Sequence, residues 1–417
     1  MKRKGAWTLI LFLCLAPACA KFKPDTSKNA EFINRAQYQS DGKVTVHVAA
    51  LSNKESQKYF GLKLGKSKIQ PVWLKIENHD KIPYWLQAIS IDPEYYPPNE
   101  VAHKNFSGHS TATRKKIVEF LQQEQIQYDF PPGDSYEGFV FTNADTGMKE
   151  VSVELWGEST LKRFNFVVPV PGLRVDYDYV DTDNMYPPDQ IKELDLEGLR
   201  RVLEDLPCCT TDKKMQEYRG DPVNLVIVGD DEDIITTFIR RGWKQTEVKY
   251  KGSIFRTLKS FLFKSSYDTS PVSDLFLLGR HQDIAFQKPR KSIHNRNHLR
   301  LWITPYRYHG KAVWIGGISR DIGVKATIHA PFFVTHVIDS DVDESRDYLL
   351  QDFLAGDAVE KWGYVKGAGE STEQSPRKNF MGDEIYTDGD RVVLMLGDFP
   401  VPIEKTKEIP WEYHQER

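Results

Sequence analysis

The chain has 417 residues, enough for two or three domains, and its 40% hydrophobic content suffices for a sizeable core. A formal charge of −3 supplies no global field, so binding to nucleic acid or to an anionic membrane by bulk electrostatics is not expected. Function has to come from local chemistry.

At the N-terminus, Lys2-Arg3-Lys4 precede an apolar stretch from Ala6 to Ala16 that is too short to span a bilayer, the pattern of a bacterial export signal over residues 1–18. Leu15-Ala16-Pro17-Ala18-Cys19 resembles a lipoprotein signal, in which the cysteine is diacylated and becomes N-terminal. Cys19 is then the lipid attachment point, and the membrane is a partner through that anchor. The rival reading is cleavage after Ala18-Cys19-Ala20, which releases a soluble periplasmic protein. The anchor is preferred because a free cysteine at a mature N-terminus has no other evident purpose. Either way the protein is expected in the bacterial cell envelope, at the periplasmic face. Losing Lys2, Arg3 and Lys4 and no acid shifts the formal charge from −3 to −6. Cys208 and Cys209 are adjacent, whereas ordinary disulfides separate their Cα atoms by about 4.4–6.8 Å, so no bond between them is expected.

Residues 32–173 alternate polar with β-branched and aromatic residues. Val44-Thr45-Val46-His47-Val48, Val72 to Ile76, Phe139-Val140-Phe141, Val151 to Leu155 and Phe164 to Val168 read as strands, with turns such as Phe130-Pro131-Pro132-Gly133-Asp134 between them. Short strands at this spacing predict an immunoglobulin-like β-sandwich, interrupted by a helix from Ser110 to Gln127. Its histidines His79, His103 and His109 are scattered without carboxylate or cysteine at ligand spacing, so a binding or spacer role is expected here.

Residues 174–190 interleave Asp176, Asp178, Asp181 and Asp183 with tyrosine. They lack the turn glycine and terminal acid of a calcium loop and read as a solvated linker. A leucine stripe predicts a helix from Asp189 to Leu206. A second domain over residues 191–400 follows, with a core at 206–365 and a tail at 401–417. Its fold class is α+β with a mixed sheet: strand Asn224 to Val228, helix Glu232 to Arg241, a helix over 252–264, strands at Leu275–Leu278, His298–Ile303, Val313–Ile318, Ala326–His329 and Phe332–Ile338, and a helix from Asp343 to Leu354. A Gly/Ser/Glu-rich loop runs to Asn379, and a final strand spans Val392 to Leu396. Strand, glycine and helix succeed one another after Asn224, but the Gly-x-Gly-x-x-Gly loop is absent, so no nucleotide cofactor is expected.

Histidine, carboxylate and arginine concentrate between Arg296 and Asp347. Strand alternation places His298, Arg300 and Trp302 on one face. If neighbouring strands bring His298, Asp321, His336 and Asp339 together, imidazole and carboxylate ligands meet that suit a divalent metal and water activation. Arg300 and Arg346 are candidate anion binders. Against a site reading of its last part, Asp341-Val342-Asp343-Glu344 has the outline of a helix capping box, and Arg346 pairing with a buried carboxylate is as economical as anion binding. Arg280, Lys288, Arg290, Lys291, Arg296 and Arg300 read either as a lipid-facing patch or, preferably, as an exposed loop around Pro289.

Leu206-Pro207-Cys208-Cys209-Thr210-Thr211, Gly220 to Gly229, Gly242-Trp243, Pro271-Val272-Ser273, Gly279-Arg280-His281-Gln282-Asp283, the His298 and His336 blocks and Trp314 to Asp321 follow one another in the order seen in the LssY C-terminal domain family, which this part of the chain resembles. The resemblance implies an envelope protein, since relatives carry the module after membrane segments similar to phosphatidic-acid phosphatases and one is encoded near a secretion system. It implies no reaction. The expectation is therefore an exported, lipid-anchored protein acting by binding or assembly in the envelope, with an envelope protein as possible partner. The alternative is a metal-dependent hydrolase of phosphorylated or lipid-linked substrates.

Overall fold

The computed structural model describes residues 22–26, 31–212, 217, 219–249, 269–292, 295–326, 334–397 and 400–412. The export signal with Cys19, the helix expected over 252–264 and most of the strand expected at Ala326–His329 lie outside the described residues. The fold is α+β and divides into two compact units, one built on the residues up to Ala144 with Val151–Val168, the other on Asp145–Glu150 with Pro169 onward. No helix among the described residues is long and apolar enough to cross a membrane.

The first unit carries the β content its alternation predicts. Strands Gln37–Ser40, Val44–Ala50, Ile69–Asn78 and Ser135–Asn143 form one antiparallel sheet in that order. A second four-stranded sheet runs in the order Asp129–Phe130, Tyr84–Leu86, Gly147–Gly157, Thr160–Val170. Helix Thr111–Glu124 starts where expected, with the Ser110 side chain accepting from Thr113 N, and buries Ile117 and Leu121. They join a core centred on Phe32, Phe60, Phe139 and Phe141. Tyr95-Tyr96-Pro97-Pro98 leads into helix Pro98–Lys104, with proline at its first position, where the missing N–H costs nothing.

The second unit is organised by a ten-stranded mixed sheet. At its centre, Leu225–Val228 lies between Lys311–Ala326, antiparallel to it, and Asp390–Leu396, parallel to it. All four residues of this strand are buried, as an unbroken apolar run in a central strand requires. On one face Val226, Val228, Ile315 and Val393 pack with Leu199 and Leu203 of helix Leu196–Asp205. Phe286, Phe238 and Phe353 meet elsewhere in the core, with ring centroids of Phe238 at 4.4 Å from Phe286 and 4.8 Å from Phe353. The helix expected from Asp189 begins at Leu196, capped by Asp195, because Lys192–Leu194 pairs as a parallel strand with Tyr306–Tyr308. Residues 174–190 belong to this unit: Tyr186 Oη donates to the carbonyl of Ile303, and Tyr177 Oη to Asp231.

Two expectations change. The basic run from Arg280 is neither a loop nor an open patch. It lies largely on strands Ile284–Ser292 and Asn295–Tyr308, joined with a bulge near Pro289. There Arg280 grips buried Asp283, Lys288 grips Asp352, and Arg296 and Arg300 are themselves buried. The second change is a disulfide between Cys208 and Cys209. The usual separation of bridged Cα atoms does not apply to sequence neighbours, whose peptide link already holds them 3.7 Å apart.

Candidate functional site

The candidate cleft lies where strands Asn295–Tyr308, Lys311–Ala326 and Val334–Ile338 run side by side. Register sets Arg296 opposite Asp321 and His298 opposite Ser319, while Asp321 also faces Ile338 on the third strand. Because alternate residues share a face, Arg296, His298 and Arg300 all project to one side. A glycine makes room above them. A Cβ on Gly317, the register partner of Arg300, would lie 2.6 Å from the carbonyl oxygen of Pro222, so the 221–222 backbone can cross here only over a bare Cα. Asp221 thereby reaches the cleft.

The remaining wall comes from the residues that follow the Gly/Ser/Glu-rich loop. Asn379 to Asp383 closes on itself, with Asn379 Oδ1 accepting from the backbone N–H groups of Met381 and Asp383 at 3.0 Å. The Asn379 amide donates to Asp221 Oδ1 at 3.1 Å. Together these segments enclose about 90 Å³, lined by Asp221, Arg296, His298, Arg300, Asp321 and His336 among others.

Asp321 is the hub. Arg296 donates from Nε to its Oδ2 at 2.9 Å, and its Nη1 reaches Ser270 and Gln287, so this buried cation is held by three side chains. His336 Nδ1 faces Asp321 Oδ2 at 3.3 Å. His298 Nδ1 faces Oδ1 at 3.5 Å, and its Nε2 contacts Ser319 Oγ at 3.1 Å. Burial pushes the His298 imidazole down to about 3, against the raising effect of Asp321, so this ring is neutral near pH 7. Burial raises the Asp221 carboxyl and lowers the Arg300 guanidinium.

Arg300 lines the cleft with donors to spare. It is 4% exposed, its Nε donates to the carbonyl of Ser273 at 3.0 Å, and its two terminal nitrogens have no hydrogen-bond partner among the described residues. A buried guanidinium with idle donors is costly unless something accepts from them.

Of the four residues expected to converge, His298, Asp321 and His336 come together. Asp339 does not line the cleft: its Oδ1 accepts from Asp341 N in the turn after the strand. Among the described residues no three His, Cys, Asp or Glu side chains are grouped as a metal requires. Arg346 is fully buried 
and saturated by Asp343, Asp347, Asp388 and the carbonyl of Asp390, with its guanidinium over the Tyr364 ring, so it holds structure and does not receive an anion. Asp341 caps helix Val342–Leu354 by accepting from Asp343 N, as its position predicts. Sequence reasoning missed Asp221, Asn379 and Asp383 as site residues. The alternation rule that selected His298 and Arg300 also selects Arg296, two positions earlier.

The LssY C-terminus family model matches residues 201–390. No curated protein matches the chain. The matched segment supplies every strand and loop that lines the cleft.

Proposed function

We propose, for a chain whose residues 201–390 belong to the LssY C-terminal domain family, that the second unit binds an oxyanionic group in the Arg300 cleft. The observation that carries this is the pair of partnerless terminal nitrogens on a buried Arg300. The lining mixes that cation with Asp221, whose carboxyl is raised by burial. It therefore suits a ligand that both accepts and donates hydrogen bonds, such as a hydrogen phosphate or a phosphate monoester. The setting is an exported protein anchored through Cys19, in which the cleft serves binding or assembly in the envelope, on phosphorylated or lipid-linked ligands.

Calorimetric titration of the mature Cys19→Ala protein with inorganic phosphate tests the cleft. Binding is expected, with at least a tenfold loss in Arg300→Gln, since one charge-assisted contact contributes about 1.5–3 kcal/mol. Equal affinity of the two proteins, or no binding by the parent, overturns the reading. Vesicles of phosphatidic acid against phosphatidylcholine separate a lipid headgroup from free phosphate as the source of the anion.

A second reading, hydrolysis of the same ligands, is favoured by the 3.3 Å approach of His336 to Asp321 beside the anion-receiving arginine. It requires turnover of a phosphate monoester that His336→Ala abolishes while phosphate binding persists.

A further inference from the structure

Pro207, Cys208 and Cys209 lie between two guanidiniums. Fully buried Arg391 donates to the carbonyls of Leu203, Leu206, Pro207 and Gly367 at 2.7–2.9 Å, fixing the chain that enters the cysteine pair. On the other side, Arg377 Nη1 lies 2.9 Å from Cys209 Sγ and 3.8 Å from Cys208 Sγ, while its Nη2 donates to the carbonyl of Ala368. Among the described residues Arg377 has no carboxylate partner, although burial disfavours its charge. Gly369, at φ 74°, keeps the approach open: a Cβ there would meet Arg377 Nη1 at 3.0 Å and Cys208 Cβ at 3.2 Å. A half-buried cation against sulfur, with no anion to balance it, is the environment that stabilises a thiolate.

We infer that Cys208 and Cys209 form a thiol–disulfide centre whose reduced state is a thiolate held by Arg377. Cys209 is 1% exposed whereas Cys208 is half-buried, so an incoming thiolate attacks Cys208 Sγ. The sulfur–sulfur bond breaks and its electron pair leaves on Cys209, beneath Arg377. A second thiol of the same dithiol reductant resolves the mixed disulfide. Two electrons pass from the reductant, which becomes a disulfide; one of its two protons ends on Cys208 and the other in solvent. Arg377 also begins the strand Arg377–Lys378 that leads directly into the cleft-lining Asn379 to Asp383. Control of the cleft by this centre rests on the anion reading above; the thiol chemistry does not.

The mature Cys19→Ala protein retains Cys208 and Cys209 alone, so thiol counting is unambiguous. The air-isolated folded protein is expected to show no free thiol and to gain two with dithiothreitol at neutral pH. Iodoacetamide alkylation of the reduced protein against pH is expected to give a thiolate midpoint below the ordinary ~8.5, raised by at least one unit in Arg377→Gln and restored in Arg377→Lys. Free thiols before reduction, resistance to the dithiol, or a midpoint unmoved by Arg377→Gln overturns the centre. Phosphate affinity is expected to differ at least threefold between the oxidised and reduced proteins. Equal affinities remove control of the cleft, and absent binding in both states removes the anion reading, while thiol counts and midpoints judge the centre separately.

Discussion

His298 is held where its proton is unwelcome. In an unfolded chain an imidazole takes up a proton below about pH 6.5, whereas the buried ring resists until about 3. The folded state thus binds fewer protons through this window, and the stability present above pH 6.5 is lost as pH falls toward 3. On the order of 4 kcal/mol is at stake over the full interval. Urea midpoints measured from pH 7 to pH 4 are expected to fall less steeply in His298→Asn than in the parent; parallel curves would refute the assignment. The position of this ring was legible because a period of two is robust along a strand, and the same rule gave Arg300 its face. The pairing of Arg346 with a carboxylate was legible, but its partner Asp388 was not, because that residue lies 42 positions away and its approach is fixed by the parallel pairing of Leu225–Val228 with Asp390–Leu396. Asp221 was illegible as a site residue for a related reason: it reaches the cleft by crossing the bare Cα of Gly317, a contact no local pattern encodes.

Among the elements, helix Val342–Leu354 and strand Lys311–Ala326 bear the most consequential single residues. Arg346 and Asp343 are both fully buried, and the Asp343 carboxylate also accepts from Thr387 Oγ1 at 2.7 Å and Asp388 N at 2.8 Å. Arg346→Met is expected to cost about 3–5 kcal/mol, since it leaves a buried carboxylate without its counter-charge. Equilibrium denaturation measures this, and a loss within error would show the network to be dispensable. Gly317→Ala acts by a different route, pressing a methyl group against the Pro222 carbonyl. A loss of about 1–3 kcal/mol is expected, together with weakened phosphate binding as Asp221 is displaced. The central strand, its flanking helix and the closing strand were readable from apolar runs and helical stripes. The loop Asn379 to Asp383 was not, because its order comes from one asparagine side chain bonding its own backbone and not from any periodicity.

At the scale of the whole molecule, the match of residues 201–390 to the LssY C-terminus family sits with an exported, anchored chain as the proposed setting. Cell fractionation is expected to find the parent with membranes and Cys19→Ala in the soluble periplasm; retention of the variant without another membrane partner contradicts lipidation. The α+β class with a mixed sheet followed from composition and spacing, whereas the membership of residues 174–190 in the second unit depends on tyrosine contacts that a row of aspartates obscured.

The parallel seat of Asp390–Leu396 beside Leu225–Val228 also sets a clock. Until residues 390–396 are available, one edge of the innermost strand is open. Loop closure between distant segments is slow, and an unpaired apolar edge is prone to wrong partners. Under the export proposed above such a delay is an advantage, because the chain stays threadable until residues 390–396 arrive. Refolding followed by fluorescence of buried Trp302 and Trp314 is expected to run in milliseconds to seconds for the complete chain. A chain truncated before residue 390 is expected never to reach the same endpoint.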